Sequence, residues 1–420
     1  MAGVGNERAR DLRAFRGIGD ALADRLLQEL LPHFGPDKID RVNGLENLLN
    51  ALMPWTPGSA LPLPGEAGER LRAFLQPSAA EALPAWLKEP DGTVSEKTWR
   101  RMQNAQKFFQ KFELTAMVVL GCSSLPHCYS HPEIASTLVV SGRLASQVKQ
   151  RLGETADFLR AVMQPEALRD GQALPWIRKV RLMHAIMRLL TLQDASEHRK
   201  RRGLSLAGFL LKREWHRRDQ QPLDQLELCY VLLTFSLVVL EGWSSLGVHI
   251  PDEIGDDYLF TWRVVGHVLG VEDELLARQQ TLGDARQLFA AIKALQAEMS
   301  SPGAEMDGRL LAATLLVLLS EFTLQDGRRY YLNPLLSWLN PWLKTCFRTL
   351  PRSLVRRLVD DETSSLLWVE APPLLQQLAH WLFIFAIMGR DSLRTRVSDR
   401  GEIGAWPGVG AQVKRLGRAP

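Results

Sequence analysis

Apolar residues recur along this chain three and four positions apart, and no run of alternating β-branched residues interrupts that rhythm. A chain patterned in this way buries helical stripes against other helices, so the expected fold class is all-α. The spacing predicts helices over residues 10–31, 67–75, 95–112, 112–120, 132–141, 146–163, 174–192, 205–216, 222–246 and 252–269. Further helices are expected over 273–299, 307–322, 335–347, 352–358 and 372–388. At 420 residues the chain can bury a large core, as one large domain or two intimate ones. We read 1–90 as an N-terminal helical region packed on the core, 91–388 as the core, and the Gly-, Arg- and Ser-rich 389–420 as a flexible tail.

One predicted helix carries an unusual pattern. In "VRLMHAIMRLL" every residue from Val180 to Leu190 is apolar except Arg181, His184 and Arg188. At 100° per residue the two arginines lie about 60° and 40° from His184, on the same side of it, so the three form one stripe. The stripe either faces solvent, as on an ordinary amphipathic helix, or lies buried and therefore needs partners. A histidine that ligates a metal between arginines that pair with carboxylates would satisfy all three groups, and a haem offers both an iron and two propionates.

Other clusters are weaker. Cys122, His127, Cys128 and His131 crowd into "CSSLPHCYSH", but their spacing lacks the paired ligands of a structural zinc site, and a turn lined with small polar residues is expected. His267 follows Arg263 by four residues and is a second possible iron ligand, though a satisfied core histidine explains it as well. Residues 222–246 form a long, nearly all-apolar central helix, with Glu241 at its far end expected to pair with an arginine. On one face of the helix at 146–163 stand Arg151, Glu154 and Thr155, where an intrahelical Arg151–Glu154 pair is the simplest reading.

Composition removes some function classes. Lys and Arg number 51 against 47 Asp and Glu, and the small excess is spread along the chain, so no nucleic-acid partner is expected. "GIGDALADRLLQEL" has the outline of a DNA-binding hairpin, but Asp20 and Asp24 stand where basic residues would be needed, and Gly19 and Asp20 more simply start a helix. Four scattered cysteines build no disulfide framework. The charged N-terminus lacks an apolar leader core and the greasiest runs fall short of the ~20 residues of a membrane span, so we expect a cytoplasmic protein without a transmembrane segment.

The blocks "SGRLASQVKQRLGETADFL", "IRKVRLMHAIMRLL", "LLTFSLVVLEGWSSLGV" and "YLFTWRVVGHVLGVEDELL" together resemble, in order and spacing, the latex-clearing protein (rubber oxygenase) and MpaB-type oxygenase family. "GIGDALADRLLQELL" and "LPAWL" resemble its N-terminal region, and the likeness spans about residues 16–277. The resemblance implies an all-α protein with a globin-like, haem b-binding core that activates dioxygen. It makes His184 the proximal iron ligand, with Arg181 and Arg188 as haem-site arginines facing propionates or supporting the ligand. Arg151 and Thr155 match the distal R-x-x-K-T motif of the rubber-cleaving members, but Glu154 replaces the lysine. That carboxylate either accepts a proton or pairs with Arg151. The family's catalytic glutamate lies further upstream, where Glu133 is the nearby candidate and stays unassigned.

These implications lead to a haem-dependent oxygenase acting with dioxygen on a small apolar or amphipathic substrate, an isoprenoid or other alkene among the possibilities. The alternatives are a haem peroxidase or heteroatom oxygenase on the same fold, or an all-α scaffold that has lost its haem.

Overall fold

The computed structural model describes residues 12–140, 148–192, 221–299, 305–331, 340–374, 376–377 and 380. Among the described residues every regular element is helical, so the fold is all-α as the spacing predicts. The helices that matter below are α1 (Ala21–Leu30), α2 (Lys38–Leu52), α3 (Gly65–Leu75), α4 (Glu96–Lys111), α5 (Glu113–Val119), α6 (Leu125–Ser130), α7 (Pro132–Val140) and α8 (Val148–Val162). They are followed by α9 (Leu174–Leu192), α10 (Gln225–Phe235), α11 (Leu237–Ser245), α12 (Asp252–Leu269), α13 (Leu282–Met299), α14 (Glu305–Tyr331) and α15 (Asn340–Leu358).

Among the described residues two hydrophobic clusters form, and α9 belongs to both. Its first turns, Leu174 and Ile177, join the main core made largely by α4, α5 and α10 to α13. Its later residues Leu182, Ala185, Ile186, Met187 and Leu190 join a second cluster with α1, α2 and α3. The N-terminal helices therefore rest on the half of α9 that carries His184. Start signals set them in place: the Asp20 carboxylate caps α1 by accepting from the amides of Leu22 and Ala23, and Asp37 caps α2 through the amide of Asp40.

The central apolar run divides into α10 and α11 at Ser236, whose hydroxyl donates back to the carbonyl of Leu232 at 3.0 Å. Gln225–Ser245 is long and apolar enough to cross a membrane, yet 83% of its most apolar 18-residue window is buried inside the protein, as in a core helix. Several features depart from the expected pattern, among them the helix expected over 273–299, which is split into Asp273–Ala277 and α13. The helix expected over 10–31 is interrupted: residues 12–13 are helical, the chain turns through 14–17 with Gly17 at φ 71°, and α1 starts at Ala21. Lys38–Leu52 is helical, with Val42, Leu45, Leu48, Leu49 and Leu52 buried at helical spacing. The stretch expected as a turn is a buried helical segment, a wide turn over Leu120–Ser124 running into α6. Finally, α15 continues through Pro351 where a break was expected. The predicted helix at 205–216 and the tail lie outside the described residues.

Candidate functional site

The polar stripe of α9 is buried, and its partners are the chain's own carboxylates. Arg181 donates from Nε and Nη2 to the two oxygens of Asp20, at 2.5 and 2.6 Å, and from Nη1 to the Val268 carbonyl at 3.2 Å. Arg188 donates from Nη2 to Asp24 at 2.8 Å and from Nη1 to the Leu223 carbonyl at 2.9 Å. Asp20 and Asp24 stand one turn apart on α1, so the two pairs fasten α1 along the His184 flank of α9. Neither guanidinium reaches solvent freely, so the solvent-facing reading of the stripe does not hold.

His184 itself is half-buried and marks a border. On its other flank, within about 100° around the helix, lie Val180, Met183 and Trp176, all half-buried, and Met187, which is buried. One side of the imidazole is therefore tied down by charge, and the other opens onto an apolar, partly accessible strip.

The helix α8 packs against α9. Residues 152–157, a turn and a half of α8, are all half-buried, Glu154 and Thr155 among them. The ammonium of Lys179, on α9, donates to the carbonyls of Met53 and Trp55 at 2.7 Å each; burial lowers its pKa, and the nearby charges of Glu154 and Asp157 oppose that shift. Glu154 therefore stands near α9. The Arg151 side chain lies outside the described residues.

A second constellation was not assembled from the sequence. Arg16 makes a two-pronged pair with Glu133, at 2.8 and 2.9 Å, and its Nε lies 3.3 Å from Asp224. Glu227 comes within 3.9 Å of the same guanidinium and accepts from the Leu223 amide at 2.6 Å. Asp224 is the cap of α10, accepting from the amides of Leu226 and Glu227. His131, at the start of α7, lies beside them, its ring edge-on to Tyr230 at 5.4 Å. Burial pushes the Asp224 carboxyl up to about 6 and Glu227 well above the carboxylate range, while the guanidinium of Arg16 holds Glu133 below it. The readable signal was the acid pair in "PLDQLELCYVLLTF", two carboxylates one turn apart at the head of an otherwise apolar helix.

The remaining candidates separate. Cys122 and Cys128 are buried free thiols, pushed by burial to about 12 and about 11, and the Cys128 sulfur lies 3.5 Å from the Thr234 hydroxyl. Among the described residues His131 groups with Glu133 and Glu227 and not with the cysteines. His267 pairs with Asp273 at 2.7 Å in a partly exposed place, while Arg263 lies over the Trp86 ring at 5.0 Å. Glu241 pairs with Arg286 at 2.7 Å.

A haem is compatible with the α9 surface on its donor chemistry: a half-buried imidazole could hold its iron, and the apolar strip beside it suits an apolar cofactor. The arginines fit the supporting role better than the propionate role, because Asp20 and Asp24 already hold them.

Comparison with known proteins bears on the same region. Residues 110–388 match the catalytic-domain family described as ER-bound oxygenase mpaB/B'/Rubber oxygenase. A solved structure of latex clearing protein LCP in the closed state superposes with a TM-score of 0.57 at 19% identity, covering 95% of this chain and 90% of that one. No curated protein matches the chain significantly.

Proposed function

The chain belongs to the family of ER-bound mpaB/B' and rubber oxygenases, and from that premise we propose that it is a haem b-dependent oxygenase whose iron is held by His184. The observation that carries the reading is the border position of His184, inside the matched catalytic domain, between a fastened polar flank and an open apolar strip. Bound there, the haem would supply the activation of dioxygen.

The chain's own residues have distinct tasks. The Arg181–Asp20 and Arg188–Asp24 pairs fix the rotation and position of α9, and so aim the imidazole. Trp176, Val180, Met183 and Met187 exclude water from the apolar side and offer contact to a macrocycle or an apolar substrate. From α8, which is half-buried at both residues, the Glu154 carboxylate accepts a proton from the substrate, and the Thr155 hydroxyl donates a hydrogen bond. Glu154 stands where the rubber-cleaving pattern has lysine, which points to a small apolar or amphipathic alkene in place of a polymer.

Haem-loaded full-length protein given a short isoprenoid alkene is expected to consume dioxygen and to place its oxygen in the product. Turnover supported by peroxide with no dioxygen uptake would overturn the oxygenase reading. In Glu154→Gln, turnover should fall about 100-fold, the lower range for loss of a proton-transfer group, with an unchanged haem spectrum.

A further inference from the structure

Three carboxylates and one guanidinium meet around Arg16. Asp224 and Glu227 are almost wholly buried, while Arg16 and Glu133 are half-buried. Fully ionised, the group carries two negative charges more than positive ones, with the His131 ring beside it.

The hydrogen bonds leave two atoms over. Glu227 Oε2 accepts from the Leu223 amide, but Oε1, equally buried, accepts from no N–H, and the carboxyl meets that of Glu133. His131 is 2% exposed, and its Nε2 has no hydrogen-bond partner. A ligand atom from each of His131, Glu133 and Glu227 can be chosen so that all three lie within 4.8 Å of one another. Buried polar atoms left over on residues whose ligand atoms converge in this way call for a shared partner.

We propose that His131, Glu133 and Glu227 form a buried site for one divalent cation of the Mn(II), Fe(II) or Zn(II) kind. One imidazole and two carboxylates are a donor set that these borderline cations accept. A divalent cation cancels the excess charge of the cluster. Arg16 then acts from outside, fixing the Glu133 carboxylate through its two-pronged pair while leaving lone pairs for the metal. Loading Nε2 moves the ring proton to Nδ1, which now accepts only a long 3.4 Å contact from the Ile134 amide. That amide is in the first turn of α7, where helices leave such groups unbonded in any case. The site shares no donor with His184, so it stands or falls independently of the haem.

The test is a titration of chelator-treated, full-length protein with Mn(II), read by the loss of the free-ion signal in electron paramagnetic resonance, and with Zn(II) by competition. One ion per chain is expected. Glu227→Gln keeps an acceptor for the Leu223 amide, so it should melt where the chelated wild type melts, yet bind more than ~10-fold more weakly, a loss of over ~1.4 kcal/mol. His131→Ala should weaken binding likewise, and His184→Ala should leave it intact. Failure of both ions to bind at millimolar concentration, or equal binding by Glu227→Gln, would overturn the proposal.

Discussion

Arg181 donates two hydrogen bonds to Asp20 in a position that neither could occupy alone, because each would then be a buried, uncompensated charge. Arg181→Ala should therefore cost about 3–5 kcal/mol, read as a lower urea midpoint at unchanged slope, and replacing Asp20 as well should return part of it. A loss under about 1 kcal/mol, as for an exposed pair, would contradict the buried geometry. The requirement for partners was legible in the stripe, but the identity of the partners was not. Arg181 and Arg188 are about 10.5 Å apart along α9 and Asp20 and Asp24 about 6 Å apart along α1, and only packing brings the long guanidinium arms together. His127 carries a second prediction. Burial holds its pKa down at about 4, so the folded protein keeps it neutral while the unfolded chain protonates it near 6.5. Its contribution is complete above about pH 6.5 and is lost as pH falls toward 4, by about 1.4 kcal/mol per unit. Urea unfolding between pH 7 and 4.5 should show wild type losing that much more than His127→Gln, and parallel curves would refute it.

At the scale of elements, α15 shows how a strong local signal is overridden. Pro351 lacks an N–H and so leaves the carbonyl of Phe347 without its helical donor. The hydroxyl of Thr323, on α14, supplies one at 2.5 Å, and the helix runs on. Thr323→Val keeps the shape and removes the donor, so we expect a loss of about 1–3 kcal/mol in denaturant unfolding. A neutral result would mean that the proline needs no such support. The sequence alone could not place Thr323 opposite Phe347, because that contact belongs to the pairing of two helices. The same is true of 122–131, whose small polar residues read as a turn. Ser124 instead donates to the Thr234 carbonyl of α10 at 2.5 Å, and Ser123 to the Leu358 carbonyl of α15 at 3.0 Å, so packing satisfies groups that would otherwise favour a loop. The helix at Lys38–Leu52 was readable from its apolar spacing, yet Asn43, Gly44 and Asn47 within it weaken the local propensity.

For the whole molecule, the consequence of the fold is that α9 joins two clusters and carries its imidazole along their seam. The fold class and the importance of the α9 stripe were legible from periodicity and from charge in an apolar setting. The Arg16 cluster was not, since its members come from positions 16, 131–133 and 224–227, and no local pattern joins them. The account rests on His184 holding haem iron. The most direct test is the ultraviolet–visible spectrum of freshly purified full-length protein from haem-replete cells, beside that of His184→Ala. The account predicts a Soret band in the wild type, and its loss or a changed ligation in the variant with helical content retained. A wild type that stays colourless after added haemin, or a variant with the wild-type haem spectrum, would contradict it.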